Sequence, residues 1–275
     1  MFEYWPAPAK LNLMLRIVGR RPDGYHQLQT VFQFLDIGDQ IGFRIREDGR
    51  ICRVSELSDV AEELDLVIRS AKLLQETCRT PLGVDIDLHK ILPMGAGLGG
   101  GSSDAATTLV VLNRLWSAEQ SVDQLARLGL TLGADVPVFV RGRSAWGEGV
   151  GEKLEPIELP CPCYLVLVPP CHVSTAKIFS DPHLTRNSPR IKIRDFLAGS
   201  VQNDCLSVVC RLYPSVCDAM EWLSHYSVPR LTGTGAAVFA PFEDETAAFR
   251  VQQLVPAQYQ SFVASGVNTS PLGCG

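Results

Sequence analysis

Residues 93–106 read PMGAGLGGGSSDAA, and this stretch decides the fold that we expect for the chain. Five of its first nine residues are glycine, and glycine allows positive φ angles and close approach of a ligand to the main chain. A helix-forming run follows from Ser102 to about Leu115, and Ser102, Ser103 and Asp104 are residue types that cap helix starts. A helix start presents unpaired N–H groups and a partial positive charge. The stretch therefore predicts an anion site, with phosphate as its natural occupant.

Two better-known glycine motifs do not fit this loop. A P-loop ends in Gly-Lys-Ser/Thr, and no lysine follows these glycines. Gly97, Gly99 and Gly100 also do not give the GxGxxG pattern of a dinucleotide site that opens from a strand and is followed by a distant acidic residue. The remaining alternative is a flexible surface loop, but flexible linkers seldom run straight into a capped apolar helix.

Composition indicates an ordinary globular protein. The chain has 275 residues, enough for two modest domains or one large one, and 46% of them are hydrophobic against 20% charged. A net charge of −5 argues against a nucleic-acid binder with a broad basic face. There is no apolar run long enough for a membrane span and no signal peptide at the N-terminus. We therefore expect a cytoplasmic protein.

The cysteines raise the question of metal. An odd number, nine, is scattered along the chain, which fits free thiols in a reducing compartment. Four residues of types that can bind a metal ion lie near one another in the sequence: Cys161, Cys163, Cys171 and His172. Their spacing differs from that of the cysteine pairs typical of a small zinc site. Free thiols are therefore favoured over zinc, and metal analysis of the purified chain would test the alternative of a zinc-stapled structural protein.

Hydrophobic periodicity predicts a mixture of strands and helices. The predicted strands cover residues 5–19, 31–37, 41–46, 51–54, 84–89, 164–168 and 261–265. The predicted helices cover residues 64–78, 102–115, 122–130, 204–211, 215–225 and 243–254, and a further short helix is predicted near Phe179.

Several connecting segments carry their own predictions. Gly38-Asp39 predicts a hairpin-like break between two strands, and residues 147–151 predict a flexible loop. The proline-rich residues 156–162 predict a domain seam. Residues 229–240 place Gly-Thr-Gly-Ala between two short strand-like pieces, which fits either a hairpin turn or a second loop that approaches a phosphate.

Five residues in three segments of the sequence are candidates for function. Lys10 and Asn12 point to one face of the first strand, and periodicity alone favours a solvated face. The Pro-Asp-Gly turn at residues 22–24 would present Tyr25 and His26, although such a pair is usually packing. Asp135 lies at the mouth of a predicted apolar strand over residues 136–140, either as a turn cap or as a carboxylate beside the anion loop.

Taken together, these motifs resemble the GHMP kinase superfamily, which includes galactokinase, homoserine kinase and mevalonate kinase. Four of the motifs are most similar to one branch of this superfamily: PAKLN at 8–12, RPDGYH at 21–26, LGADVP at 132–137 and LTGTG at 231–235. Members of that branch phosphorylate a cytidine-diphosphate sugar alcohol in the non-mevalonate isoprenoid pathway. The resemblance runs from Trp5 to about Leu272.

The resemblance implies an α+β fold of two domains. An N-terminal domain like domain 2 of ribosomal protein S5 would cover residues 1–160, and a ferredoxin-like domain would cover residues 161–275, with the active site between them. It also implies a kinase that uses ATP with Mg²⁺ and acts on a small molecule. Its expected partners are therefore that substrate and ATP, without nucleic acid or membrane, and the expected state is a monomer or weak homodimer.

The resemblance also implies roles for individual residues. Asp135 matches the general base and Lys10 its partner. Substrate contacts match Asn12, Tyr25, His26, Val150, Thr175 and Phe179, of which Tyr25, His26 and Phe179 match the cytosine pocket. The triphosphate loop matches Pro93, Met94, Gly95, Ala96, Gly97, Leu98, Gly99, Gly100, Gly101, Ser102 and Ser103, while Leu66 and Val67 match positions beside the adenine. At position 65, beside the adenine, the resemblance implies an asparagine, and this chain has Asp65 instead. Mg²⁺ would be bound largely through phosphates and water. The sequence does not decide whether Ser103 or Asp104 also contacts the ion.

Two other hypotheses for the function compete with the one that the resemblance implies. An RNA-binding module would share the S5-like fold, but the net charge weighs against it, and a salt-dependent gel shift would test it. A kinase of the same superfamily that acts on another small alcohol would lack the Tyr25-His26 turn.

Overall fold

The structure is a computed structural model that describes residues 1–22, 24–55 and 64–273. Asp23 of the predicted turn lies outside the described residues. The strands are β1 (Glu3–Arg20), β2 (His26–Arg46), β3 (Ile51–Arg53), β4 (Gly83–His89), β5 (Ala145–Gly149), β6 (Lys153–Pro156), β7 (Cys163–Val168), β8 (Arg230–Leu231), β9 (Val238–Phe242) and β10 (Gln260–Val267). The helices are α1 (Leu66–Cys78), α2 (Gly100–Leu115), α3 (Val122–Leu132), α4 (Val136–Arg141), α5 (Thr175–Ser180), α6 (Ile193–Leu197), α7 (Leu206–Leu212), α8 (Pro214–Ser224) and α9 (Glu245–Gln252).

The sheet is built on β2, a strand of 21 residues. Along one edge β2 pairs with β1 in antiparallel fashion over almost its whole length. Along the other edge it pairs successively with β5, β10 and β4. Beyond β10 the sheet continues through β7 and β9 to β8, so a single path joins both halves of the chain.

The predicted break at Gly38-Asp39 is wrong, because β2 runs straight through these residues. Gly38 lies so close to β1 that an added Cβ would stand 2.3 Å from the carbonyl oxygen of Ala7. The Asp39 carboxylate is buried and accepts hydrogen bonds from the backbone N–H groups of Ile91 and Leu92, at 2.5 and 2.8 Å. The two residues therefore serve close packing and a buried hydrogen-bond site.

The apolar run at residues 136–140 forms helix α4, so the strand predicted there is wrong. Nearly every side chain of the run is buried, and a short run buried all round has no periodicity that separates helix from strand. Pro137 lies in the first turn of the helix, where its missing N–H costs nothing, and Gly142 ends the helix at φ 63°.

Residues 147–149 belong to β5, so the flexible loop predicted over residues 147–151 is wrong for that part. Gly147 packs against β2, where an added Cβ would lie 2.9 Å from the Phe32 ring. Only Val150 and Gly151 remain in the turn that leads to β6.

The core consists of three hydrophobic clusters. Helices α1 to α4 pack on β2 and β4 around Phe34 and Phe43, while α7 and α8 pack on β7 and β9 around Val209 and Val238. A further cluster joins β1, β2, β7 and β9. Mixed helix and sheet confirm the α+β class; the predicted boundary at residue 160 falls between β6 and β7 and stays a prediction. No helix in the described ranges has both the length and the apolar character to cross a bilayer.

Candidate active site

The glycine loop turns through positive φ angles and opens into helix α2. Gly95, Gly97 and Gly99 have φ values of 67°, 77° and 77°. The helix begins at Gly100 with Gly99 as its N-cap, and no side chain caps it. The predicted capping role of Ser102, Ser103 and Asp104 is therefore wrong, since these residues lie within the first turns. Among the described residues no side chain caps the N–H groups at the helix start, which leaves them available to an anion.

A cleft of about 380 Å³ lies over this loop. All the loop positions from Pro93 to Ser102 line it, together with Leu66. Two predicted residues do not: Ser103 is fully buried, and the Val67 side chain lies in the core beneath α1. The structure thus brings together most of the residues predicted for the triphosphate and the adenine.

Asp65, where the resemblance led us to expect asparagine, caps helix α1. Its Oδ1 accepts the backbone N–H of Val67 at 2.9 Å, and its Oδ2 pairs with Arg53. Both carboxylate oxygens therefore have partners inside the chain. The residue lines the smaller cleft while only 5% of its surface is exposed.

A buried cluster of three charges supports the start of α2. The Lys90 ammonium pairs with Asp39 of β2 and, at 2.8 Å, with Asp104 of α2. Burial raises the pKa of Asp104 to about 7, with Lys90 opposing and Asp39 adding to that shift. Burial lowers the pKa of Lys90, but the two carboxylates outweigh it and raise the pKa above its usual range. The cluster fixes the glycine loop against the sheet.

A larger cleft, of about 770 Å³, adjoins the first. The two clefts share Gly97, Gly99 and Ser102 in their walls. All eight residues predicted as catalytic or substrate-binding line the larger cleft: Lys10, Asn12, Tyr25, His26, Asp135, Val150, Thr175 and Phe179.

Lys10 and Asp135 form an ion pair where the two clefts meet. Lys10 Nζ lies 3.2 Å from Asp135 Oδ2 and donates to Asn12 Oδ1 at 2.5 Å and to the Gly97 carbonyl at 2.9 Å. The Lys10 side chain is 3% exposed, whereas that of Asp135 is 33% exposed. The ammonium is therefore fully partnered inside the protein, and the carboxylate is open to the cleft.

The solvated strand face predicted for Lys10 and Asn12 is wrong, because the glycine loop covers that face of β1. The backbone N–H of Lys10 donates to Leu98 O at 2.9 Å, which docks the loop on the strand. Asn12 is also buried and donates to Thr30 Oγ1 at 2.9 Å.

The second small-residue loop, between β8 and β9, packs against the glycine loop. Thr232 Oγ1 donates to the Gly97 carbonyl at 3.1 Å and accepts the backbone N–H of Asn12 at 3.0 Å. Thr234 and Thr175 join their hydroxyl groups at 2.8 Å. The sequence left two interpretations of residues 229–240 open, a hairpin turn and a second loop near a phosphate. β8 and β9 do form a hairpin, and the loop between them also contacts the glycine loop.

The far end of the larger cleft is aromatic. The His26 and Phe179 rings stack with centroids 5.1 Å apart and an interplanar angle of 24°. Tyr25 lies in the same wall and is 67% exposed. Burial lowers the pKa of His26, and the neighbouring cations Arg186 and Arg20 lower it further.

Sequence reasoning missed three cations at the site: Arg53, Lys90 and Arg186. Each binds a residue that had been singled out, namely Asp65, Asp104 and His26. None lies in a motif, and only the acidic or aromatic partner carried a signal. In the described parts of the chain, no group of three or more His, Cys, Asp or Glu side chains is arranged to hold a metal ion.

The fold and the paired clefts define a phosphotransferase of the GHMP kinase class, and residues 65–143 match the family model described as the GHMP kinases N terminal domain. A crystal structure of a mevalonate kinase superposes with a TM-score of 0.72 at 14% identity, covering 97% of this chain and 99% of that one. The chain belongs to the family of the 4-diphosphocytidyl-2-C-methyl-D-erythritol kinases.

The relatives that show this family match nearly end to end. The Pseudomonas aeruginosa (strain LESB58) 4-diphosphocytidyl-2-C-methyl-D-erythritol kinase is 56% identical over 267 residues, which cover 97% of this chain and 95% of that protein. The enzyme of the same name from Nitrosococcus oceani is 54% identical over 98% of this chain and 96% of its own length. A crystal structure of a 4-(cytidine 5'-diphospho)-2C-methyl-D-erythritol kinase has a TM-score of 0.83 at 32% identity, covering 96% of this chain and 99% of that one.

Proposed function

We propose that this protein transfers the γ-phosphoryl group of ATP to the 2-hydroxyl of 4-diphosphocytidyl-2-C-methyl-D-erythritol, a step of the non-mevalonate isoprenoid pathway. One observation carries the proposal: the Lys10–Asp135 pair stands where a glycine-rich anion cleft meets a larger cleft with an aromatic end. ATP would occupy the smaller cleft, and the sugar alcohol would extend into the larger one.

In this arrangement Asp135 is the general base. Its exposed carboxylate accepts the proton of the substrate hydroxyl as that oxygen attacks the γ-phosphorus. Lys10 holds the carboxylate in place and adds a positive charge beside the developing alkoxide. Because Asn12 and the Gly97 carbonyl accept hydrogen bonds from Lys10, they hold its ammonium beside Asp135.

The glycine loop binds the triphosphate through backbone N–H groups at the start of α2. Among the described residues, Asp104 Oδ1 and Ser103 Oγ are buried oxygens without a hydrogen-bond partner. Carboxylate oxygens suit Mg²⁺, and Asp104 lines the smaller cleft, so this residue fits an ion held mainly by the phosphates and water, whereas Ser103 is fully buried. When bound, the ion would neutralise charge on the phosphates.

An ADP-release assay tests the proposal. Purified protein is given ATP and Mg²⁺ with the cytidylylated methylerythritol, with mevalonate or with homoserine. We expect turnover with the first substrate only. Turnover with mevalonate or homoserine, and none with the cytidylyl substrate, would refute the proposed substrate. The protein would then be a kinase of the wider superfamily with a different substrate.

Truncating the aromatic end should weaken substrate binding. We expect Tyr25→Ala and Phe179→Ala each to raise the KM for the cytidylyl substrate about tenfold, because a stacked base is worth about 1–3 kcal/mol. Steady-state kinetics at saturating ATP gives the measurement. Tyr226→Ala is the matched control, since that ring packs at a tilt against Trp222 and does not line either cleft in the described part of the chain. An unchanged KM in both test variants would place the base elsewhere.

Three further expectations stay predictions: a cytoplasmic location, a monomer or weak homodimer, and the absence of nucleic-acid or membrane partners. Sedimentation and a salt-dependent RNA gel shift would test the last two.

A further inference from the structure

Arg186 joins His26 to the segment that follows α5. Its Nε donates to His26 Nε2 at 3.1 Å. Its other nitrogens donate to three carbonyl oxygens: Phe179 at 3.0 Å, Asp181 at 2.7 Å and Leu184 at 3.1 Å. Four of the five N–H groups that a guanidinium carries are therefore used within the protein.

These contacts fix the protonation of the His26 ring. An arginine side chain can only donate hydrogen bonds, so Nε2 of His26 must accept. An imidazole that accepts at Nε2 is neutral and carries its hydrogen on Nδ1. Within the described residues Nδ1 has no hydrogen-bond partner, and the ring lines the larger cleft.

We propose that Arg186 is a positioning residue for the base of the substrate: it locks His26 as the neutral Nδ1–H tautomer and so makes the ring a hydrogen-bond donor. The proposal rests on the proposed function, because it takes the base to be cytosine. The N3 atom of cytosine is an acceptor, whereas N3 of uracil carries a hydrogen. A fixed donor therefore favours cytosine and meets uracil with donor against donor.

The surroundings of His26 keep the ring neutral. Two cations face it, Arg186 from the segment after α5 and Arg20 from β1, and no carboxylate is among the groups that shift its pKa. Burial and these charges lower the pKa of His26, so the neutral ring predominates above the ordinary value near 6.5. Protonation grows only as the pH falls toward the lowered pKa.

The first test observes the tautomer directly. Long-range ¹H–¹⁵N NMR on the full-length protein, with His26 assigned through His26→Gln, distinguishes protonated from bare ring nitrogens. We expect Nδ1 protonated and Nε2 bare in the native protein. In Arg186→Met we expect the Nε2–H tautomer to become populated and the pKa of His26 to rise. A native His26 that carries its hydrogen on Nε2 would overturn the proposal.

The second test measures the consequence for substrate. We expect Arg186→Met to raise the KM for the cytidylyl substrate about tenfold and to reduce the preference for cytidine over uridine, with kcat and the KM for ATP nearly unchanged. Arg211→Met is the matched control, because Arg211 holds Asp181 of the same segment at 2.6 Å and is not among the lining residues. Equal KM increases in both variants, or a full cytidine preference in Arg186→Met, would overturn the proposal.

The two tests separate this inference from the proposed function. If the native protein fails to phosphorylate the cytidylyl substrate, the proposed function fails with the assay, while the nitrogen spectrum still decides the tautomer. The native spectrum decides the tautomer even if Arg186→Met fails to fold.

Discussion

We expect Asp135→Asn to lower kcat by about 10²- to 10⁴-fold, which is the usual contribution of a general base. The amide keeps the size of the carboxylate but cannot take the substrate proton. The KM values for both substrates should change little, because the interaction acts mainly in the transition state. Asp135 caps no backbone N–H of α4, so the substitution should not loosen that helix. Single-turnover kinetics with both substrates saturating gives the rate of the chemical step.

Two further variants make this result specific. Asp123→Asn removes an exposed carboxylate that pairs with Arg141, and it should leave kcat unchanged. Lys10→Ala should also lower kcat, but it leaves Asn12 Oδ1 and the Gly97 carbonyl without their ammonium donor. A buried polar group without a partner costs about 1–3 kcal/mol, so this variant should also unfold more easily. Near-normal turnover in Asp135→Asn would remove the aspartate from the mechanism.

The second large effect is expected at the glycine loop. Gly99→Val should weaken the binding of a non-hydrolysable ATP analogue by more than about tenfold, because a β-branched residue at φ 77° is strained by about 1–3 kcal/mol. An added Cβ would also stand 2.7 Å from the Phe139 ring and 3.0 Å from Lys10 Cε. The fold should lose stability together with the nucleotide site. Calorimetry measures the first loss and denaturant unfolding the second.

Gly100→Val separates the two losses. Gly100 is the first residue of α2 and, unlike Gly99, does not have a positive φ; an added Cβ would lie 3.3 Å from Lys90 Nζ, which would have to shift slightly within its pairs with Asp39 and Asp104. We expect this variant to weaken nucleotide binding with a smaller loss of stability. Gly199→Val is the control for backbone strain alone, since Gly199 has φ 108° and nothing within 4 Å of an added Cβ. Unchanged affinity in both loop variants would refute the phosphate-binding role.

Much of the fold could be predicted because long periodic segments dominate it. The predicted helices at 64–78, 122–130 and 215–225 correspond to α1, α3 and α8 within a few residues. The failures lie where tertiary contact overrides a local pattern. Gly38 and Gly147 look like turn residues, yet each is needed because a neighbouring strand or ring approaches the backbone. The run at 136–140 is buried all round, and its sequence holds no signal that selects helix over strand.

The candidate site could be predicted to the extent that it is made of local motifs. The glycine loop, the Tyr25-His26 pair and Asp135 all lie in recognisable stretches and line the two clefts. Periodicity could not show that Lys10 is buried, because the covering loop comes 87 residues later along the chain. The sequence could not predict the contact of Arg186 with His26 for the same reason, because the two residues are 160 positions apart.

The Gly97 carbonyl has a further consequence for how the loop meets its ligand. Both of its acceptor positions are taken, one by Lys10 Nζ at 2.9 Å and one by Thr232 Oγ1 at 3.1 Å. The peptide unit is planar and trans, so the Leu98 N–H points away from these two donors in a fixed direction. A glycine-rich segment would ordinarily lose much conformational entropy when it closes on a ligand. Here folding has already ordered that peptide unit, and the entropic penalty of binding is correspondingly smaller.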